Sequence, residues 1–286
     1  MDALFEKFHP QLIFHAAAYK HVPMMELNPE EAIKVNSLGT KIVADLAIKY
    51  GAERFIMIST DKAVNPTNVM GASKRLAEIY IQALSSKNHE TKFITTRFGN
   101  VLGSNGSVVM RFKDQIEKGG PVTVTHPHIV RYFMTIPEAC QLVLEASTMA
   151  KGGEIFIFDM GNPVKIAELA KKMIQLYGYT PNTDMKIEFV GLRPGEKLYE
   201  ELLVNEEDVI KTYHEKIMVA KVRKVDYNLF NESFLELSQI LTTNNGTMSL
   251  VALLKKLVPE FVSNNSEFQK LDYKEIPIIK LKNIKS

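Results

Sequence analysis

Short apolar runs alternate with helical patterns along the first third of the chain. Runs rich in β-branched and aromatic residues predict buried strands at 11–15, 54–58 and 92–97. Between these runs, apolar residues recur at helical spacing over 28–51 and from Lys74 to about Leu84. Strand, helix, strand, helix and strand at this rhythm predict βαβ units and a parallel sheet.

The pattern becomes less regular after about residue 110, and the rhythm changes near residue 160. It predicts helices at 112–116, 136–150, 166–177, 227–241 and 247–257, and extended segments at 121–125, 154–159, 186–190 and 216–220. From about Ser263 the chain is polar, and we expect this end to fray.

Composition limits the class of protein. The 286 residues carry a net charge of +2, which gives no electrostatic reason to expect a nucleic-acid partner. No apolar run reaches the roughly 18 residues that span a bilayer, and the first residues lack the order of a signal peptide. A single cysteine, Cys140, fits a reducing compartment, so we expect a soluble cytoplasmic protein, with association to a membrane through partners as the alternative. Cys140 lies in an apolar helical run and is predicted to be a packed core thiol.

A glycine-rich turn is missing where a dinucleotide-binding sheet would have one. Such a sheet begins with a strand, a glycine-rich turn and a helix whose N-terminus holds the pyrophosphate. Nothing before Gln11 has this pattern, and the glycines of 99–106 have the wrong spacing. The sheet is therefore expected to lack its first strands.

Polar groups follow the predicted strand 54–58, where a ligand crevice is expected in an open α/β sheet. Asp61 and Lys62 are adjacent, and a carboxyl with an amine can share general acid and base duties. At a strand terminus their side chains are expected to diverge, and a solvated turn with an aspartate cap is the alternative. Met70 and Lys74 share one helical face, a spacing that is also typical of a core methionine.

These residues resemble the extended short-chain dehydrogenase/reductase superfamily, in which a strand-end Ser/Thr and a Tyr-x-x-x-Lys pair act beside NAD. Here Met70 stands where that superfamily usually has tyrosine. With Asp61-Lys62, this substitution looks like the nucleotide-sugar 4,6-dehydratases of polysaccharide biosynthesis, the CapD-like group. Segments 15–23, 97–104 and 193–197 are similar to that group's cofactor and substrate segments. The resemblance covers about residues 10–225.

The resemblance implies an α/β fold with two regions. Residues 1–160 would form an N-terminally truncated, Rossmann-like parallel sheet that carries the active site and part of an NAD site. Residues 161–286 would form a smaller α+β region for the nucleotide sugar, with a helical tail. The implied reaction is NAD-dependent dehydration of a UDP-N-acetylhexosamine such as UDP-N-acetylglucosamine. Oxidation at C4, loss of water across C5–C6 and hydride return to C6 would give a 4-keto-6-deoxy sugar for capsule or lipopolysaccharide.

Residue roles follow from the same resemblance. The resemblance implies catalytic roles for Thr60, Asp61, Lys62, Met70 and Lys74. It implies contacts with NAD for Ala16, Ala17, Ala18, Lys20, Asn36, Ser59 and Lys74. It implies contacts with the substrate for Asn100, Thr123, Arg131, Arg193 and Glu196. Asp61 and Lys62 would act as acid and base in either order. Because Met70 cannot take the O4 proton, Asp61 with Thr60 would do so. Without the resemblance, Arg131 and Arg193 are typical of surface ion pairs.

Two alternatives stay open. The chain could be a non-catalytic remnant or partner subunit without stable NAD binding, or an epimerase of the same superfamily. Asp61-Lys62 with Met70 favours dehydration, since epimerisation would use the tyrosine. Helices over 30–50 and 70–85 resemble those that pair in superfamily dimers, so a homo-oligomer is expected. His126-Pro127-His128 lacks an acidic or cysteine cluster, and we expect no metal site.

Overall fold

The computed structural model describes residues 1–87, 89–201, 209–220, 227–243 and 246–272. The strands are β1 (Leu12–His15), β2 (Arg54–Ile58), β3 (Lys92–Arg97), β4 (Asn100–Val101), β5 (Val122–Val124), β6 (Val130–Arg131), β7 (Phe133–Met134), β8 (Ile155–Phe158), β9 (Val164–Lys165), β10 (Ile187–Phe189), β11 (Val209–Lys211) and β12 (Ile217–Ala220). The α-helices are α1 (Asp2–Phe8), α2 (Val22–Leu27), α3 (Pro29–Ala32), α4 (Gly39–Lys49), α5 (Val69–Ser85), α6 (Val108–Glu117), α7 (Ile136–Met149), α8 (Ile166–Leu176), α9 (Tyr227–Thr243) and α10 (Thr247–Leu257).

A six-stranded sheet in the order β1-β2-β3-β8-β12-β11 forms the centre of the part that the structure describes. The pairs β1–β2, β2–β3 and β3–β8 are parallel, whereas β12 and β11 are added antiparallel at one side. Helices join the parallel strands, so the predicted α/β class with a Rossmann-like sheet is confirmed. Ligand crevices of such sheets lie at the carboxyl ends of the strands, which here are the ends of β1, β2 and β3.

Most predicted elements are present with shifted ends. The helical pattern over 28–51 becomes α3, a π-helical segment at Ile33–Leu38 and α4. Helix α5 begins earlier than predicted because Asn68 caps it, its Oδ1 accepting from the Gly71 amide at 2.7 Å. The short elements α1, α2 and β11 are not predicted from the sequence, because a segment of seven residues or fewer shows little periodicity.

Apolar packing occurs on both faces of the sheet and in a third cluster. One core joins α5 to α9 and α10, and a second places α7 against the opposite face. The third core joins α6, β5 and α8. Segments on both sides of residue 160 therefore share a core, and β11 and β12 extend the central sheet. Contacts thus cross residue 160, where the sequence predicts the boundary between the two regions.

Helices α9 and α10 cover α5, which bears on the expected homo-oligomer. The Tyr80 ring of α5 lies 4.9 Å from that of Phe234 in α9, both fully buried. A dimer built on this face of α5 would require α9 and α10 to move aside. The homo-oligomer stays a prediction.

Two expectations about the chain are wrong. Cys140 is exposed, because the inner face of α7 is formed by Ala139, Leu142, Val143 and Ala146, and Cys140 falls between these positions. The predicted fraying from Ser263 does not hold over residues 263–272. There Phe268 is fully buried and the Lys255 ammonium donates to the Ser263 hydroxyl at 2.7 Å. Residues 273–286 lie outside the described residues.

In the part of the chain that the structure describes, no helix is long and apolar enough to cross a bilayer.

Candidate active site

A cavity of about 430 Å³ opens at the carboxyl ends of β1, β2 and β3. Small-molecule sites commonly measure about 300–1,000 Å³. The segments that follow these strands line it, together with the start of α5 and residues from the third core. The position matches the crevice expected for this type of sheet.

Asp61 lies behind the cavity wall, fully buried. Its Oδ1 accepts hydrogen bonds from Thr60 Oγ1 at 2.8 Å and from Lys62 Nζ at 2.8 Å. Its Oδ2 is buried without a hydrogen-bond partner among the described residues. Thr60 and Lys62 both line the cavity. Asp61 is therefore connected to the cavity by its hydrogen bonds to these two neighbours.

The expected divergence of Asp61 and Lys62 is wrong, as is the solvated turn. Residues Asp61–Ala63 form a 3₁₀ turn rather than a continuation of the strand, and Thr60 caps it by accepting from the Lys62 amide. This turn brings the two side chains together in an ion pair.

Lys62 is held between two carboxylates. Its Nζ lies 2.8 Å from Asp61 Oδ1 and 3.9 Å from Glu200 Oε1, and it donates to Asn100 Oδ1 at 3.3 Å. Burial alone would lower the pKa of Lys62, but the two carboxylates outweigh it and the pKa is raised. Lys62 is therefore an ammonium at neutral pH.

Met70 and Lys74 face the cavity from the first turns of α5. Met70 is 3% exposed and also belongs to the core between α5 and the sheet, and its catalytic role stays a prediction. Lys74 Nζ donates to the Ile58 carbonyl at 2.7 Å, and burial lowers the pKa of Lys74 to about 8. The nearby Ser59 hydroxyl is buried and interacts with the Glu78 carboxylate, whose pKa it helps to lower.

The segment after β1 borders the same cavity. Ala16, Ala18 and Lys20 line it, whereas Ala17 does not belong to its lining. Asn36 is fully buried behind this segment: its side chain bonds both backbone groups of Tyr19, at 2.8 and 3.0 Å, and donates to Ser73 Oγ at 2.9 Å. Asn36 therefore anchors the loop in the structure and does not line the cavity.

The five residues expected on the substrate side, Asn100, Thr123, Arg131, Arg193 and Glu196, all line the cavity. Arg131 is 8% exposed, and its guanidinium donates mainly to backbone carbonyls, including that of Lys197 at 2.8 Å. The Arg193 side chain is 46% exposed and pairs with Glu196 at 3.2 Å. Arg193 is thus the more available cation of the two.

Three further residues of the cavity have no individual role predicted from the sequence. Glu200 is buried, Arg111 donates to Thr123 Oγ1 at 2.6 Å, and His21 lies under Gly106. A Cβ at Gly106 would come within 2.3 Å of the His21 ring, so a glycine is required there. His21 lies in the segment 15–23 that carries the resemblance, whereas Glu200 and Arg111 belong to no recognisable local motif and reach the site through long-range packing.

The histidines of the 126–128 segment lie with ring centroids 5.6 Å apart. Among the described residues, no group of three or more His, Cys, Asp or Glu side chains is placed to hold a metal ion.

The family model described as "Polysaccharide biosynthesis protein" matches residues 1–222. The chain belongs to this family. Two curated members of the polysaccharide biosynthesis proteins are close relatives. The capsular polysaccharide biosynthesis protein CapD of Staphylococcus aureus is 60% identical over 76% of this chain and 36% of its own length. The probable polysaccharide biosynthesis protein EpsC of Bacillus subtilis is 56% identical over 84% of this chain and 40% of its own length. The chain thus spans well under half of either relative.

Several solved structures share the fold of this polysaccharide biosynthesis protein. Pen from Bacillus thuringiensis matches with a TM-score of 0.68 at 36% identity, covering 75% of this chain and 68% of that one. Other matches include UDP-glucose 4-epimerases and the dTDP-glucose 4,6-dehydratase DesIV of Streptomyces venezuelae. DesIV is 19% identical with a TM-score of 0.62, which shows the fold alone.

Proposed function

We propose that the chain carries the catalytic part of an NAD-dependent UDP-N-acetylhexosamine 4,6-dehydratase that serves surface polysaccharide biosynthesis. The observation that carries the proposal is the bonded series Thr60–Asp61–Lys62, whose outer members face a cavity opposite Met70. Membership in the polysaccharide biosynthesis family supports the biological setting. A hydroxyl, a buried carboxylate and an ammonium in direct contact can move protons for oxidation and for elimination.

The residues beside Met70 fit the nicotinamide half of NAD, a cofactor that solved structures of DesIV contain. Ala16 and Ala18 let a flat ring approach the backbone, and Ser59 lines the same part of the cavity. Lys74, with its pKa of about 8, carries charge at neutral pH and would donate to a ribose hydroxyl. Bound there, NAD would accept hydride from sugar C4 and return it to C6.

Thr60 would receive the proton that leaves O4 during oxidation. A thioether at position 70 cannot accept that proton, whereas Thr60 Oγ1 lines the cavity and donates to Asp61 Oδ1 at 2.8 Å. As Thr60 takes the O4 proton, its own proton passes to Asp61. After this step Asp61 is protonated and Lys62 is still an ammonium.

Lys62 would carry out the elimination. Its ammonium gives a proton to the departing C6 hydroxyl, which leaves as water, and the resulting amine takes the proton from C5. After hydride return to C6, Lys62 gives a proton to C5 and is then one proton short. Asp61 holds the proton that came from O4, and their 2.8 Å contact returns it to Lys62. The cycle thus closes without net gain or loss of protons.

Arg193 and Glu196 would hold the nucleotide part of the substrate. Arg193 is half-exposed at the cavity and suited to a diphosphate. Glu196 accepts from Thr125 Oγ1 at 3.2 Å and would accept from ribose hydroxyls. Asn100, beside Lys62, would complete the contacts near the diphosphate and sugar.

Two measurements on the purified chain test this function. Bound or added NAD should be detectable by absorbance after chemical reduction, and its failure to bind would favour the non-catalytic alternative. Asp61→Asn should abolish turnover, by roughly 10²-fold or more, while the nucleotide sugar still binds. Undiminished turnover in Asp61→Asn would refute the proton-transfer assignment, and a product with an inverted C4 that keeps its C6 hydroxyl would favour an epimerase.

A further inference from the structure

A second buried carboxylate, Glu200, lies beside the hydrogen-bonded series Thr60–Asp61–Lys62 and lines the cavity. The Glu200 side chain is 4% exposed, and its Oε1 lies 3.9 Å from Lys62 Nζ and 3.6 Å from Arg131 Nη2. A carboxylate this deeply buried is stable only when opposite charges or hydrogen bonds compensate it.

Glu200 connects two buried ion pairs. On one side is Lys62 with Asp61, and on the other Arg131, whose Nη2 also lies 3.6 Å from Glu196 Oε1. Charges therefore alternate in sign from Asp61 through Lys62, Glu200 and Arg131 to Glu196. Each inner member faces two opposite charges, so removing Glu200 would leave both Lys62 and Arg131 with weaker compensation.

The neighbouring glutamate provides the contrast. The Glu201 side chain is 49% exposed, lies outside the cavity lining, accepts from Asn65 Nδ2 at 2.8 Å and pairs with Lys197 at 3.6 Å. Two adjacent glutamates thus have opposite settings, one buried among the proton-transfer residues and the other on the surface.

We propose that Glu200 is a positioning residue for the dehydration: it holds the Lys62 ammonium against the cavity and links it to the substrate segment 193–197. The proposal rests on the function proposed above and adds a residue to it. With Asp61, Glu200 fixes Lys62 from two sides, which keeps its Nζ within reach of Asn100. Through Arg131 and Glu196, occupation of the nucleotide site would bear on the same ammonium.

The charged surroundings support this coupling. Lys62 faces the carboxylates of Asp61 and Glu200 and the cations of Arg131 and Lys20. Burial raises the pKa of Glu200, and the charge of Asp61 adds to this effect. Lys62, Arg131 and Lys197 act in the opposite direction.

Lysine NMR tests the proposal without turnover. The chain is labelled with ¹³C at lysine Cε, the Lys62 signal is assigned by its loss in Lys62→Arg, and spectra are taken from about pH 8 to about pH 12, which extends above the ordinary lysine pKa. In Glu200→Gln the Lys62 titration should move to lower pH, since a carboxylate within ~4–6 Å favours the ammonium. In the matched control Glu201→Gln it should stay as in the wild type. A Lys62 titration unchanged by Glu200→Gln would overturn the proposal.

Kinetics give the second reading. Glu200→Gln should lower kcat roughly 10- to 100-fold, the scale of a ~1 Å misplacement, with KM little changed, and Glu200→Asp should recover part of the loss. An unchanged kcat in Glu200→Gln would overturn the proposal. Should Glu200→Gln fail to fold in a thermal melt, Glu200→Asp, which withdraws the carboxylate by one methylene, replaces it in the NMR titration. A wild-type chain without product would refute the proposed function, while the titration still decides the role of Glu200.

Discussion

Replacement of Lys74 by methionine should alter how the stability of the fold depends on pH. Burial lowers the pKa of Lys74 from 10.5 to about 8, although the Glu78 carboxylate favours the charged form. The residue is 3% exposed, so solvent screens it little. At 1.36 kcal/mol per pH unit, this lowering corresponds to a cost of about 3 kcal/mol that the folded wild type bears at neutral pH.

The sign of the effect follows from proton binding. Between about pH 8 and pH 10.5 the unfolded chain holds a proton on Lys74 that the folded chain has released, so the free energy of unfolding rises with pH in this window. Relative to Lys74→Met, the wild type should gain about 2.5 kcal/mol between about pH 7 and about pH 10. Lys74→Met also loses the hydrogen bond to the Ile58 carbonyl, and this loss lowers its free energy of unfolding equally at the two pH values.

Urea unfolding of both proteins at the two pH values measures this difference. Lys151→Met, at an exposed position, controls for the loss of one positive charge. A wild-type-to-variant difference that is constant with pH, or that moves in favour of Lys74→Met as pH rises, would refute the reasoning.

Three other substitutions have definite expected outcomes. Gly71→Ala should cost about 3 kcal/mol or more by thermal melt, because its Cβ would lie 2.1 Å from the Lys62 carbonyl oxygen; the usual gain of a helical Gly→Ala change would contradict this. Glu78→Gln should cost about 3–5 kcal/mol in urea by leaving Arg97 buried and unpaired. Burial acts to raise the pKa of Glu78, but its arginine partners outweigh burial and lower it. The stabilisation that the Glu78 carboxylate gives the wild type is therefore lost as pH falls, and the stability difference between wild type and Glu78→Gln should narrow in acid. A stability difference that widens in acid would argue against the pairing. Arg193→Ala should raise KM for the UDP-sugar about tenfold with little change in kcat, and an unchanged KM would remove Arg193 from the substrate site.

Local patterns predicted what local interactions determine. The strand at 54–58 was recognised because Phe55, Ile56 and Met57 form a continuous apolar run, and all three are fully buried. The position of Thr60 beyond this strand then placed it at the cavity. Cys140 was misplaced because an apolar helical run does not by itself say which residues face inward.

The contacts that refine the site depend on distant packing. The Asp61–Lys62 ion pair requires a 3₁₀ turn that the sequence of the adjacent residues does not predict. Glu200 reaches Lys62 across a separation of more than a hundred residues, and its neighbour Glu201 has the same local sequence signal. Only the folded arrangement distinguishes the buried glutamate from the exposed one.

Transfer of an isotope within the sugar tests the central claim most directly. The purified chain is incubated with NAD and UDP-N-acetylglucosamine carrying deuterium at C4, and the product is examined by mass spectrometry and NMR. The proposed function predicts a 4-keto-6-deoxy sugar with the deuterium at C6. Deuterium retained at C4, or no product from a chain that binds both NAD and the nucleotide sugar, would contradict it.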